Sequence, residues 1–224
     1  MGDGLAPGMA MVLDMDGVIV NSNPLHEAAW VAYNRRFGME TGRELIARMY
    51  GKRNDEIVRD FFGSELDDAQ IIAHGAAKER LYREMLAPKL RETLVPGVRE
   101  FLAGQAPGTV ALATNAEPAN VDFILDGCAL RAAFRVVIDG SQVKRPKPHP
   151  EIYLRAAELL GVPPRNCIVF EDSFSGVAAA QAAGTRVVGL RTTHSALPGA
   201  ALEIDDFRSP QLEPWLLRQT PRAS

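Results

Sequence analysis

Cysteine is scarce: the 224 residues contain two, Cys128 and Cys167. Two cysteines cannot make a disulfide framework. With no export signal ahead of them, the cytoplasm is the expected setting and both read as small buried apolar residues. A basic excess is lacking as well. Lys and Arg number 25 against 28 Asp and Glu, for a net charge of −3, which excludes a protein held on nucleic acid by bulk charge. No apolar run approaches the roughly 18 residues of a membrane-spanning helix, so no membrane partner is expected. The stretch Met1–Met9 lacks the basic flank and apolar run of a signal peptide. Internal repeats and low-complexity tracts are absent. What is present is an ordinary globular composition, 46% apolar and 24% charged, in a chain long enough for one domain with a modest insert. At this length roughly 70–75% of the chain's surface can be buried, so the core needs no crosslink or structural metal.

Short apolar runs that stop abruptly at polar residues read as buried strands. Met9–Leu13 stops at Asp14, and Thr109–Ala113 stops at Thr114 and Asn115. Arg135–Ile138 stops at Asp139, Cys167–Phe170 at Glu171 and Asp172, and Arg186–Leu190 follows. Helical stretches at Glu117–Asp126, Pro150–Leu160 and Ser175–Ala183 fall between them. The alternation predicts an α/β fold: a doubly wound parallel sheet, Rossmann-like, covered on both faces. Asn23–Arg91 carries no strand signal. Asn23 reads as the N-cap, and Pro24 as the first residue, of a helix running to Phe37 before Gly38. Further helices are expected near Arg43–Met49, Asp55–Phe62 and Asp67–Met85, with Trp30 in their shared core. The expected division is a catalytic core over 1–22 and 92–224, with an all-helical cap over 23–91 inserted after the first strand.

Open parallel sheets bind ligands beyond the carboxyl ends of their strands. Three strand ends carry Asp14 with Asp16, Thr114 with Asn115, and Glu171 with Asp172. Four carboxylates in one crevice repel one another, so positive charge must sit among them. A hard divalent ion suits an all-oxygen site, Mg²⁺ most commonly. Lys147 would add to it from a loop stiffened by Pro146, Pro148 and Pro150. A rigid lysine beside a metal–carboxylate site is suited to hold phosphate.

These residues form four ordered motifs: Asp-Met-Asp-Gly-Val at 14–18, Ala-Thr-Asn at 113–115, Lys-Pro-His-Pro at 147–150 and Glu-Asp-Ser at 171–173. In order and spacing they resemble the motifs of the haloacid dehalogenase superfamily, over nearly the whole chain. The helical insert resembles the C1-type cap of that family. The most similar groups are the β-phosphoglucomutases and the phosphoglycolate-type phosphatases. The resemblance implies that Asp14 is the nucleophile, forming an aspartyl-phosphate, and that Asp16 is the general acid and base. It implies Mg²⁺ on Asp14, the Asp16 carbonyl and Asp172, with Glu171 as ligand or partner. Thr114 and the amide of Asn115 would hold the phosphoryl oxygens, and Lys147 would neutralise them. Dehalogenases proper lack the second aspartate, which is present here as Asp16.

His26 and Ser22 resemble hinge residues of the mutases, where the histidine helps close the cap. In the cap loop Gly51, Lys52 and Arg53 are candidate substrate contacts. The mutase pattern has a lysine where Tyr50 stands and an arginine where Asn54 stands. It also has a lysine just after the second motif, where this chain offers Glu117. The expected function is therefore an Mg²⁺-dependent phosphatase acting on a small phosphomonoester, a sugar phosphate or similar. The alternatives are a β-phosphoglucomutase-like mutase and a non-catalytic protein that binds a phosphorylated ligand. Asp16 argues against the last, since a binder has no use for an acid and base. The expected partner is a small phosphorylated metabolite, and the expected state is a monomer.

Overall fold

Six parallel strands form the centre of the computed structural model, which describes residues 5–49 and 52–222. In chain order the elements are β1 (Ala10–Leu13), α1 (Asn23–Arg35), α2 (Arg43–Ala47), α3 (Asn54–Phe62), α4 (Asp68–Leu86), α5 (Val98–Ala103), β2 (Val110–Ala113), α6 (Pro118–Gly127), β3 (Val136–Ile138), α7 (Glu151–Leu160), β4 (Cys167–Glu171), α8 (Phe174–Ala182), β5 (Arg186–Leu190), β6 (Leu202–Ile204) and α9 (Leu212–Leu217). The sheet order is β3-β2-β1-β4-β5-β6, all pairings parallel. It is the doubly wound order, with β1 at the reversal point where such sheets bind ligands. The expected fold class is the one found.

Side chains alternate across a strand, and here both alternating sets are buried. Met11, Leu13, Leu112, Ile168 and Phe170 join one core with Leu102, Ile124 and Leu216. Ala10, Val12, Ala111, Ala113 and Val169 join another with Ile152, Tyr153, Ala156 and Val177. That double burial is why these strands read as continuous apolar runs.

Helices α1–α4 stand between β1 and β2 around a core of Trp30, Tyr33, Met49, Ile57, Val58 and Ile71. The outgoing and returning connections run side by side. Asn21 N donates to Thr93 O at 2.7 Å and Val95 N donates to Ile19 O at 2.9 Å.

The first of these helices corrects one expectation. Asn23 is not an N-cap but the first residue of α1; the cap position is Ser22, whose side chain makes no capping bond. The Asn23 amide is engaged elsewhere, in the site. The helix also ends at Arg35, short of Phe37. Both cysteines are free and buried. Among the described residues no helix is long and apolar enough to cross a membrane.

Candidate active site

The loop after β1 is shaped by Gly17, whose φ of +76° favours glycine. A Cβ there would overlap the Asp172 carboxylate, so the glycine lets the first and fourth motifs touch. Asp14 follows β1, Thr114 follows β2, and Glu171 closes β4 with Asp172 after it. Ligand atoms of Asp14, Glu171 and Asp172 lie within 4.8 Å of one another, all three residues buried.

Lys147 is the counter-charge, 3% exposed. Its Nζ donates to Ala113 O at 3.1 Å and to Glu171 Oε1 at 2.6 Å, and stands 2.9 Å from Asp14 Oδ1. Burial opposes the charge on Lys147, yet Asp14 and Glu171 outweigh it and hold its pKa above the ordinary 10.5.

Glu171 is saturated. Oε1 also accepts from Tyr153 OH, and Oε2 accepts from Asp172 N, Ser173 N and Ser173 Oγ. Gly176 makes room for it, because a Cβ there would overlap the Glu171 carboxylate. So Gly176 lets the start of α8 approach this carboxylate.

Asp14 is different. Its Oδ1 is buried, and among the described residues it forms the ion pair with Lys147 at 2.9 Å. Burial is the main reason its pKa rises from 3.8 to about 7; Lys147 opposes the rise, while Glu171 and Asp16 add to it. Burial, then Glu171 and Asp14, push Asp172 well above 3.8. Three buried carboxylates within 4.8 Å of one another, two of them with raised proton affinity, make an all-oxygen donor set that fits a hard divalent cation.

Asp16 accepts from Ser22 Oγ at 2.5 Å, and His26 Nε2 lies 3.3 Å from the same oxygen. Burial raises the Asp16 pKa, but the His26 charge and the bonds from His26 and Ser22 outweigh it and bring it below 3.8. His26 is stacked on Tyr82, ring centroids 3.7 Å apart. Its other nitrogen lies 3.0 Å from Lys78 Nζ.

Asp14, Asp16, His26, Lys52, Thr114, Asn115, Lys147 and Asp172 all line one crevice under α4. Gly51 lies outside the described residues. Arg53 does not face the crevice. Its guanidinium donates to the Gly140 carbonyl and to Val143 O, the latter at 2.7 Å. Lys52 lines the crevice but is paired with Asp60 at 2.6 Å.

Several site residues escaped the sequence reading. Lys78 and Glu79 on α4 form a buried ion pair at 2.6 Å. Glu79 also accepts from Asn54 at 2.8 Å and, across the crevice, from Asn120 of α6 at 2.8 Å. Burial raises Glu79, but Lys78 and His26 outweigh it and take it from 4.5 to about 2. Two charged residues in a helix read as a solvated face. The signal available was their spacing: they fall on one stripe with Ile71, Gly75, Tyr82 and Leu86, all buried. Tyr153 and Thr193, which bond Glu171 and Asp172, carried no signal.

The chain matches the haloacid dehalogenase-like hydrolase family over residues 9–184, a span that contains all four motifs. Protein CbbY of Rhodobacter capsulatus is 34% identical over 217 residues, 91% of this chain and 93% of that protein. Fructose-1-phosphate phosphatase YqaB of Escherichia coli is 31% identical over 183 residues, 81% of this chain and 95% of that protein. Among solved structures, β-phosphoglucomutase from Clostridium difficile shares the fold with a TM-score of 0.82 at 22% identity, covering 92% of this chain and 95% of that one. The carboxylates and the lysine gathered at the sheet's reversal point thus sit inside a match spanning most of the sequence: the chain belongs to the haloacid dehalogenase-like hydrolase family, and its enzyme class is that of a phosphoric monoester hydrolase.

Proposed function

We propose that the protein is an Mg²⁺-dependent phosphatase that hydrolyses a small phosphomonoester, of the sugar-phosphate kind, through phospho-Asp14. The observation that carries the reading is the buried Asp14 carboxylate, 2.9 Å from Lys147 and within reach of Asp172, in a crevice shared with Asp16. Asp14 attacks phosphorus to form an acyl phosphate, and the ester P–O bond breaks as Asp16 gives its proton to the leaving oxygen. The proton then moves from water to Asp16 while the water oxygen attacks phosphorus, releasing phosphate and freeing Asp14. His26 and Ser22 hold Asp16 ionised, the state needed for that second step. The like charge of an arriving phosphate raises its proton affinity for the first.

Lys147, Thr114 and the Asn115 amide hold the equatorial oxygens, where charge spreads in the transition state. Asp14 and Asp172 would hold Mg²⁺, together with the Asp16 carbonyl that the family resemblance implies; when bound it neutralises phosphoryl charge. Glu171, with both oxygens occupied, anchors Lys147. Residues 23–91 act as a cap that opens and closes by bending at the paired connections around 19–22 and 93–95. A monomer in the cytoplasm belongs to the same reading.

The state of the basic cap residues favours water over a second phosphate as the acceptor. Arg53 is bound to core carbonyls, Lys52 is paired with Asp60, and Glu117 stands beyond the second motif, bonded to Arg83. The relative YqaB, a fructose-1-phosphate phosphatase by name, supports the same choice.

The test is a panel of phosphorylated sugars and small phosphomonoesters with Mg²⁺, including β-glucose 1-phosphate with a trace of its bisphosphate. Phosphate release and isomer formation are read together. Phosphate without isomer is expected. Isomer with little phosphate means a mutase, and binding without turnover means a ligand-binding protein.

A pH dependence follows from Asp14. Its carboxyl keeps a proton in the folded protein up to about pH 7, whereas in the unfolded chain it loses it near 3.8. The folded state therefore binds more protons in that window, and stability falls as pH rises through it. Without divalent cation, the melting temperature should drop between about pH 4 and pH 7. Mg²⁺ should remove the drop, and Asp14→Asn should shrink it, the raised Asp172 carboxyl supplying what remains. A metal-free curve with no such drop contradicts the assignment.

A further inference from the structure

We infer that Asn23 and Thr193 are positioning residues that hold Asp172 for its cation; this rests on the Mg²⁺ reading above. The three side chains close a ring. The Asn23 amide donates one hydrogen to Asp172 Oδ2 at 2.9 Å and the other to Thr193 Oγ1 at 2.6 Å. The Thr193 hydroxyl donates to the same Asp172 oxygen. Every donor in the ring is used once, and both carboxylate bonds fall on Oδ2. That leaves Oδ1 for a cation.

The ring is fixed at its base. Thr192, next in the chain, donates to Gly17 O at 2.6 Å, so this pair of threonines grips the loop after the first motif as well as the carboxylate of the fourth. Gly17 in turn leaves no room for a Cβ beside Asp172. The Asp172 carboxylate, 2% exposed, is thus confined from two sides and oriented by two donors. None of the three donor residues belongs to the four sequence motifs. They come from the loop after β5 and from the first residue of α1.

Asn23 adds a coupling. It begins the helical insert, and its amide is free for Asp172 because it does no capping. Any displacement of α1 away from the sheet withdraws one of the two donors. A cation that needs Asp172 held in place then favours the position of α1 seen here, and by linkage that position strengthens cation binding.

The experiment is a calorimetric titration of Mg²⁺ into the wild type and the Thr193→Val, Thr193→Ser and Asn23→Ala variants, with melting temperatures taken free of metal. Removal of such outer-shell partners typically costs 10–100-fold in metal affinity, so an Mg²⁺ Kd raised by about tenfold or more is expected for Thr193→Val and Asn23→Ala. Thr193→Ser, which restores the hydroxyl, should return the wild-type Kd. A purely structural role would lower the metal-free melting temperature of these variants and leave Kd alone. A Kd within about twofold of wild type in Asn23→Ala and Thr193→Val overturns the inference while the metal reading stands. A wild-type protein that binds no Mg²⁺ overturns the metal reading, and this inference with it.

Discussion

Asp14→Asn should leave a folded protein whose turnover has fallen by about 10⁴-fold or more, the scale seen when a covalent nucleophile is removed. An amide keeps the volume and the crevice but cannot form the acyl phosphate. Folding should not suffer, because Lys147 keeps its 2.6 Å partner Glu171. One buried carboxylate fewer also relieves the repulsion that lifts Asp172. At pH 8 without metal the variant should melt at or above the wild-type temperature. Steady-state kinetics and thermal melting on the same sample check both halves. Activity within about tenfold of wild type would remove Asp14 from the nucleophile's role.

Lys147→Met should be the most destabilising substitution near the site. The ammonium lies between two buried acids, 2.6 Å from Glu171 and 2.9 Å from Asp14. Removing one partner of a buried ion pair costs about 3–5 kcal/mol, because the other charge is left uncompensated. For a chain of this size that is a fall of roughly 6–20 °C in melting temperature. The cause is the stranded charge on Glu171, so the Lys147→Met/Glu171→Gln double variant should recover part of the loss. A double variant no more stable than Lys147→Met would mean that lost packing against Tyr153, whose ring lies 4.9 Å from Nζ, dominates instead. Turnover should be lost in both variants, since the phosphoryl charge then has no lysine.

The parts of the fold that were legible are those where one force dominates. Strands β1, β2, β4 and β5 are buried on both faces, so an uninterrupted apolar run ending at a polar residue marks each one to within a residue. Strand β6 went unread because it is a three-residue edge strand with Glu203 in its middle. Helices α5 and α9 have six residues each, too few for a period to show, and α9 contains Pro214.

In the site, Asp14, Thr114, Lys147 and Asp172 sit at strand ends or in a proline-stiffened loop, where backbone position and sequence signal coincide. The roles of Arg53, Asn23 and Lys78 depend on which partner tertiary packing brings near. Arg53 finds carbonyls of the loop after β3, 87 and 90 residues away. Asn23 finds Asp172, 149 residues away. Lys78 is buried with its Nζ 4.9 Å from the ring of Trp30 and 5.8 Å from that of Tyr82. No local pattern carries that information.

Hydrolysis through phospho-Asp14 requires two in-line displacements at phosphorus, and each one inverts its configuration. The direct measurement is the stereochemical course: a substrate made chiral at phosphorus with oxygen isotopes and sulfur, hydrolysed in isotopically labelled water, with the configuration of the released thiophosphate determined. Net retention is the predicted result. Net inversion would mean that water attacks the substrate directly, and that Asp14 never carries the phosphoryl group.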